Sequence, residues 1–353
     1  MRRRHLLGAG TALALATAVA PAAARPSPDG LRRTDLWTGG EGGPRIHVRE
    51  ILAPGAGRAA RPLLLVHGAR PDGTSAFDLP VPGGSLAADL ALADHAVYVM
   101  DIRGFGSSDY PEEMSQEPVA GAPLVRSNEA VADINVTAAF IRRRRRTERL
   151  AALGWATGGH WLGMFAALHP DALDALIILN ALYSGTSSWP LQAELEDPER
   201  PGHPRPQPGW RAVTADSLTA RWDNENPGDR RDPAVVDAYR RAALAADPTS
   251  AARTPPSFRN PTGPLTDAFY LAQGRQFYDA SLIRARTLVL RGEADFWSRP
   301  EDSTRLLDHL TSAPEARAVT LRGASHYTHL ERAPHGRDEL LAEVTDFLGG
   351  GGR

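Results

Sequence analysis

The chain has no cysteine and, over its 353 residues, no lysine. The first absence excludes disulfide bonds, thiol catalysis and metal sites built on cysteine. The second excludes chemistry that needs a lysine amine, such as Schiff-base formation, Ser-Lys catalysis and Walker-type phosphate binding. Charge of one sign is also missing, because the formal net charge is −2. We therefore expect no nucleic-acid partner, since no strongly basic surface would attract one.

Apolar runs long enough to cross a bilayer are missing too, but the N-terminus has a distinctive pattern. Residues 1–24 combine an arginine-rich head, a short apolar run and a small-residue ending near Ala24, which is typical of an export signal. Arg3 and Arg4 resemble the pair in a twin-arginine signal, with an ordinary secretory leader and an uncleaved anchor as alternatives. We expect a secreted or extracytoplasmic protein with no stable membrane insertion after signal removal.

The rest of the chain alternates strand-like and helix-like segments. Two short strands, in "DLWTGG" and "PRIHVREIL", precede a series of apolar runs typical of strands buried on both faces. These runs are "RPLLLVHG", "HAVYVMDIRG", "RLAALGWA", "ALIILNALY", "ARTLVLRGEAD" and "EARAVTLRGASH". Alternation with helices predicts an α/β fold with a mainly parallel, eight-stranded sheet covered on both sides.

The alternation stops in the middle of the chain. Residues 184–281 are rich in proline, arginine and tryptophan, then helical, and no strand is expected there. The sequence therefore predicts a core formed by residues 31–183 and 282–348, with residues 184–281 inserted as a helical lid.

Four predicted strand ends carry residues suited to chemistry. Ligands of open parallel sheets bind at the carboxyl ends of the strands. There the chain has "VHGARPDG", which ends a strand at His67 and Gly68, and the strand-to-helix turn "GWATGG". Two later strand ends carry Asp295 in "GEADFW" and His326 in "GASHYTHLE". A tight turn, then an acid, then a histidine is the order found in hydrolases with a nucleophile elbow.

With these motifs and "DIRGFGSSD" after the fourth strand, the sequence resembles the α/β-hydrolase superfamily, in its lidded esterase, lipase and peptidase form. The resemblance extends from about Leu31 to Leu348. It implies a small-molecule substrate with an ester, lactone or amide bond, and it implies no cofactor. The histidine spacing suggests no metal site, and the oligomeric state is not predicted.

The resemblance also assigns roles to residues. Asp295 would be the acid of a catalytic triad and His326 its general base, because histidine titrates near neutrality and a carboxylate fixes its tautomer. The backbone N–H groups of Ala69 and Thr157 would form the oxyanion hole, with Thr157 at a helix N-terminus that favours negative charge. The alternative base is His329, which follows the strand less directly.

The remaining predicted site residues contact substrate. Gly68, Trp155 and Trp297 flank the strand ends and are expected to line the pocket, with core packing as the alternative for the two tryptophans. His67 is expected to shape its loop rather than to catalyse.

The nucleophile position departs from the family pattern, because Ala156 stands there and a methyl group cannot attack a carbonyl. Three explanations follow. The first is an engineered substitution that traps substrate. The second is a natural alanine in an enzyme that uses His326 and Asp295 as a cofactor-free general base for lyase, cyclase or isomerase chemistry. The third is a natural alanine in a protein that only binds ligand. A hydrolase, active or silenced at this position, is the leading hypothesis.

Overall fold

The computed structural model describes residues 29–57, 60–225, 231–332 and 336–349. The expected export signal at residues 1–24 lies outside the described residues, and export stays a prediction. Within those ranges, no helix has the length and apolar character needed to cross a membrane.

One large sheet dominates the described part of the chain. The strands are β1 (Arg32–Gly39), β2 (Arg45–Leu52), β3 (Arg61–Val66), β4 (His95–Met100), β5 (Leu150–Trp155), β6 (Leu173–Leu179), β7 (Trp210–Thr214), β8 (Ser257–Pro261), β9 (Arg286–Ala294) and β10 (Ala316–Ser325). Eight of them form the sheet in the order β1-β2-β4-β3-β5-β6-β9-β10. Strand β2 is antiparallel to β1 and β4, and every other pair is parallel. The predicted eight-stranded, mainly parallel sheet of an α/β-hydrolase fold is confirmed.

Helices cover both faces of this sheet. They are α1 (Gly73–Phe77), α2 (Leu86–Leu92), α3 (Ser127–Arg145), α4 (Thr157–Leu168), α5 (Gln192–Leu195), α6 (Ala215–Glu225), α7 (Pro233–Ala246), α8 (Gly263–Ala272), α9 (Pro300–His309) and α10 (Arg337–Gly349). Short 3₁₀ turns lie at Glu112–Ser115, Ser250–Ala252 and Ala280–Leu282.

The central strands are buried on both sides because consecutive side chains point to opposite faces of a strand. In β3, Leu63 and Leu65 pack with α1, α2 and α10, whereas Leu64 and Val66 pack with α3 and α4. All four side chains are fully buried, and each such burial contributes roughly 1.5–3 kcal/mol. The continuous apolar runs of the sequence reflect this two-sided burial.

The segment between β6 and β9 contains the expected helices, but the prediction that it has no strand is wrong. Strands β7 and β8 pair antiparallel as a separate two-stranded sheet, with Arg211 opposite Asn260. The two strands are separated in sequence by α6 and α7, and both carry arginine or proline. Arginine and proline are not typical of a buried strand, so the apolar pattern of the sequence does not identify β7 and β8.

The turn between β5 and α4 is the feature that positions the site. Strand β5 ends at Trp155, helix α4 begins at Thr157, and Ala156 between them has φ 53° and ψ −119°. A non-glycine residue with positive φ is strained. The turn is this tight because a β-carbon at Gly154 would overlap the Gly158 carbonyl, and one at Gly158 would overlap the Val66 carbonyl. These two glycines therefore permit the close approach of strand β5 and helix α4.

Candidate active site

A cavity lies at the carboxyl ends of the sheet strands, below the segment between β6 and β9. Its volume is about 70 Å³. The sheet side is formed by Gly68, Ala69, Arg70, Trp155, Ala156, Thr157, Phe296, Trp297, His326 and Tyr327. The opposite side is formed by Leu191, Glu194, Leu195, Arg211, Arg221, Tyr239 and Leu265. A mostly apolar wall with a few polar groups is typical of a site for a small molecule.

Every residue that the sequence analysis singled out for this site lines the cavity, except Asp295, which lies behind His326. Nδ1 of His326 is 2.7 Å from Oδ1 of Asp295, and both side chains are buried. Because a carboxylate accepts, Nδ1 carries the proton and Nε2 is the basic nitrogen of the ring. The pair therefore has the tautomer that a general base toward the cavity requires.

Asp295 is itself held in place by the turn that follows β9. Its Oδ1 accepts a hydrogen bond from the Trp297 backbone N–H at 3.0 Å, and Oδ2 accepts one from that of Ser298 at 2.9 Å. The Ser298 hydroxyl also donates to Oδ2. Three donors besides the histidine therefore fix the orientation of the carboxylate, with Oδ1 directed at the imidazole.

The main chain of His326 is fixed from two sides. The Trp155 indole N–H donates to the His326 carbonyl at 2.9 Å, and the Asn180 amide donates to the same oxygen at 3.1 Å. Asn180 also accepts a hydrogen bond from the Gly292 backbone N–H at 2.8 Å, which connects β6, β9 and the histidine loop. Asn180 was not predicted from the sequence, although an asparagine directly after a buried strand is a polar residue at the carboxyl end of the sheet, where site residues are expected.

The predicted oxyanion donors lie next to Ala156. Thr157 is the first residue of α4, and Ala69 belongs to the loop after β3. Neither backbone N–H donates to an acceptor within the described ranges of the chain. Gly68 lies so near that a β-carbon there would be 3.3 Å from the Ala156 β-carbon. Two residues with free amide donors thus line the same cavity as Ala156.

Two other histidines near the site have no catalytic geometry. His329 is buried against Trp155, with ring centroids 4.2 Å apart, and burial lowers its pKa well below the usual value. His67 is buried beside its loop, where its Nε2 accepts from the Ile102 backbone N–H at 3.0 Å. The position of His67 agrees with a structural role, and the geometry favours His326 over His329 as the base.

Two serines on strand-end loops, Ser325 and Ser108, are engaged in hydrogen bonds away from His326. The hydroxyl of Ser325 donates to Glu331 at 2.5 Å, and that of Ser108 donates to the Asp101 carbonyl at 2.7 Å. The described residues include no group of three histidine, aspartate or glutamate side chains that could hold a metal ion. The site as it stands combines a base of fixed tautomer, two amide donors and a methyl group on a strained turn.

Comparisons with known proteins agree with this architecture. The structure of epoxide hydrolase A from Mycobacterium thermoresistibile is similar, with a TM-score of 0.56, 19% identity, and coverage of 90% of this chain and 98% of that chain. A thermophilic esterase from Thermogutta terrifontis gives a TM-score of 0.53, 20% identity, and coverage of 90% and 98%. At such identities the likeness shows the fold alone.

The sequence comparisons are more specific about family. Polyketide synthase ThaQ of Burkholderia thailandensis is 26% identical over 321 residues, which cover 84% of this chain but only 13% of the synthase. The family described as serine aminopeptidase, S33, matches residues 84–333, which is more than half of the chain. With the elbow, the histidine and the acid in their places on the sheet, the chain belongs to this serine aminopeptidase S33 family of α/β-hydrolases.

Proposed function

We propose that the protein is a hydrolase of ester, lactone or amide bonds whose reaction centre lies at Ala156, Asp295 and His326. The observation that carries this proposal is the hydrogen bond of 2.7 Å between His326 and Asp295, beside a cavity that Ala156 also lines. The free N–H groups of Ala69 and Thr157 support it, because they could stabilise the oxygen of a tetrahedral intermediate.

The proposed chemistry depends on a serine at position 156. Its hydroxyl oxygen would attack the substrate carbonyl while Nε2 of His326 takes the hydroxyl proton. The same proton would then pass to the leaving group as an acyl-enzyme forms, and water would release the acid by the reverse steps. With Ala156 the covalent route is closed. Loss of one triad member costs about 10⁴–10⁶ in rate in well-studied serine proteases, so the chain as written is proposed to be a silenced hydrolase.

We further propose that residues 184–281 act as a lid. In support, this segment contributes Leu191, Leu195 and Tyr239 to the side of the cavity that faces the sheet. Export by a twin-arginine-like or secretory signal at residues 1–24 is part of the same proposal, and it rests on the sequence pattern alone.

The experiment is to compare the chain as written with Ala156→Ser. The variant is expected to hydrolyse activated esters and to be labelled at the introduced serine by a fluorophosphonate, while the chain as written does neither. Ala156→Ser with His326→Ala is the matched control, because it restores the nucleophile without its base. A folded Ala156→Ser protein that is neither labelled nor active would refute the proposal.

A second candidate function is favoured by the intact buried pair of His326 and Asp295, which requires no nucleophile to act as a base. In that case the chain as written would remove a proton from a substrate and perform non-hydrolytic, cofactor-free chemistry. Turnover by the unmodified chain that is lost in His326→Ala would support this function. Ligand binding without turnover, unaffected by the same substitution, would indicate a protein that only binds.

A further inference from the structure

The cavity wall carries more positive than negative charge. Arg70 from the loop after β3, Arg211 from β7 and Arg221 from α6 all line it, and Glu194 is the one carboxylate among the described lining residues. Glu194 is paired with Arg221 at 2.7 Å. Arg70 donates to the Ser217 carbonyl at 2.9 Å. Neither Arg70 nor Arg211 forms an ion pair with a carboxylate in the ranges that the structure describes. Within those ranges, the guanidinium groups of Arg70 and Arg211 therefore have no carboxylate in contact, and Arg211 feels the negative charge of Glu194 only through space.

Arg211 is the less satisfied of the two. Its Nε is buried without a hydrogen-bond partner. Burial lowers the pKa of Arg211 to about 10, and the nearby positive charge of Arg70 adds to this effect. A desolvated charge without a partner is costly, whereas an anion in the cavity would supply both the opposite charge and the missing acceptor.

The position of Arg211 is fixed by the small sheet. Arg211 lies directly opposite Asn260 in the β7–β8 pair, so the two side chains are on the same face. The Asn260 amide donates to the carbonyl of Ala69 at 2.9 Å and to that of Arg70 at 3.2 Å. Hydrogen bonds thus connect the face of the β7–β8 sheet that carries Arg211 to the loop that supplies a predicted oxyanion donor. This connection fixes the position of Arg211 relative to the reaction centre.

We propose that the substrate carries a carboxylate, which Arg211 and Arg70 bind while its scissile carbonyl lies beside Ala156. This inference rests on the proposed function, because it specifies the substrate of that site. The planar guanidinium fork matches a carboxylate in two-point contact. Since the surrounding wall is apolar, with Leu195, Leu265 and Phe296, the substrate class is a short aliphatic acyl compound that ends in a carboxylate, such as a monoester of a small dicarboxylic acid.

The test is a binding measurement on the chain as written, which holds the ligand without turnover. Isothermal titration calorimetry compares monomethyl glutarate with dimethyl glutarate, which differ in one negative charge. The monoester is expected to bind about tenfold more tightly at low salt, as for a charge-assisted hydrogen bond. Arg211→Gln should reduce this preference to less than about twofold. Arg241→Gln, at an exposed arginine on α7 that pairs with Asp237, should leave it unchanged.

The outcomes separate this inference from the proposed function. Equal affinities, binding of neither compound, or a preference that survives Arg211→Gln would overturn it. If Arg211→Gln fails to fold, Arg70→Gln replaces it in the test. The preference of the unmodified chain for the monoester over the diester must also weaken as salt is added. Fluorophosphonate labelling of Ala156→Ser without an acid preference refutes the carboxylate site alone. An acid preference without labelling refutes the hydrolase and leaves the anion site standing.

Discussion

Trp155 donates its indole N–H to the main-chain oxygen of His326 at 2.9 Å. The residue that precedes position 156 therefore holds the main chain of the proposed base in place. Strand β5 and the loop after β10 are not neighbours in the sheet order. The indole therefore spans the strands between them and fixes the distance between the turn and the imidazole. We expect its effect to be on position, because the indole N–H is engaged with the main-chain oxygen of His326.

Replacement of this indole should impair catalysis more than binding. In the Ala156→Ser background, Trp155→Phe is expected to lower kcat about fivefold, since loss of the hydrogen bond costs about 1 kcal/mol of positioning. KM should change less than about twofold. Steady-state kinetics on an activated ester measures both constants. Trp37→Phe, at a half-exposed indole that donates to the Ser107 carbonyl, is the matched control, and an equal loss there would contradict the positioning role.

The carboxylate behind His326 should determine which nitrogen of the ring is basic. Asp295→Asn in the Ala156→Ser background would place an amide donor against Nδ1 and favour the wrong tautomer. We expect a loss in kcat of up to about 10⁴, the value found for the equivalent change in serine proteases. Asp346→Asn, at an exposed carboxylate paired with Arg317, should have no effect. A loss of less than tenfold at Asp295 would exclude it as the acid of the site.

The contact between α4 and β3 leaves no room for a side chain at Gly158. Gly158→Ala would force its β-carbon against the carbonyl oxygens of Val66 and His67. The expected loss of unfolding free energy is at least about 2 kcal/mol, because backbone cannot move aside as a flexible side chain can. Chemical denaturation measures it. Gly43→Ala, where nothing lies within 4 Å of the added carbon, is the control. Similar stability of the two variants would show that the turn relaxes.

A buried histidine away from the cavity should make stability depend on pH. Burial opposes the charge of His47, but hydrogen bonds to Asp101 and Asp35 at 2.8 and 2.9 Å prevail and raise its pKa to about 9. A raised pKa stabilises the fold fully below the unfolded value of about 6.5, and this contribution, about 3 kcal/mol, is lost as pH rises through about 9.

The measurement for His47 is urea denaturation of the unmodified chain and of His47→Gln at several pH values. The difference in unfolding free energy should be largest near pH 6 and should decrease steadily toward pH 9. Both side chains that hydrogen-bond to this ring in the described part of the chain are aspartates, so the sign is fixed. A difference that does not vary with pH would mean that the ring is neutral in the folded protein.

Much of the fold and the principal site residues could be predicted because they depend on local patterns. Two-sided burial gives the continuous apolar runs of β3 and β5, and tight packing requires the glycines around Ala156. Asp295 and His326 follow strand ends, which in a parallel sheet come together at one edge. The roles of these residues stay predictions, while their proximity is a feature of the structure.

The rest depends on contacts between distant parts of the chain. Arg70 and Arg211 face one cavity, yet no spacing relates a loop after β3 to a strand of the inserted segment. The β7–β8 pair is likewise formed by segments far apart, and its register is what brings Asn260 to the Ala69 carbonyl. Asn180 could have been predicted as a site residue because it directly follows a strand. Its side-chain hydrogen bonds could not, because His326 and Gly292 lie on other elements.

The hydrogen bonds from Asn260 to the Ala69 and Arg70 carbonyls have a consequence for any attempt to redesign specificity. Under the proposed function, the segment that would select the ligand also holds the backbone that would receive the developing negative charge. Exchanging residues 184–281 for those of another protein would therefore alter reactivity as well as selectivity, unless the graft brings its own amide to those two oxygens. If the proposed function holds, a substitution in this segment that alters ligand binding would also alter the reaction rate.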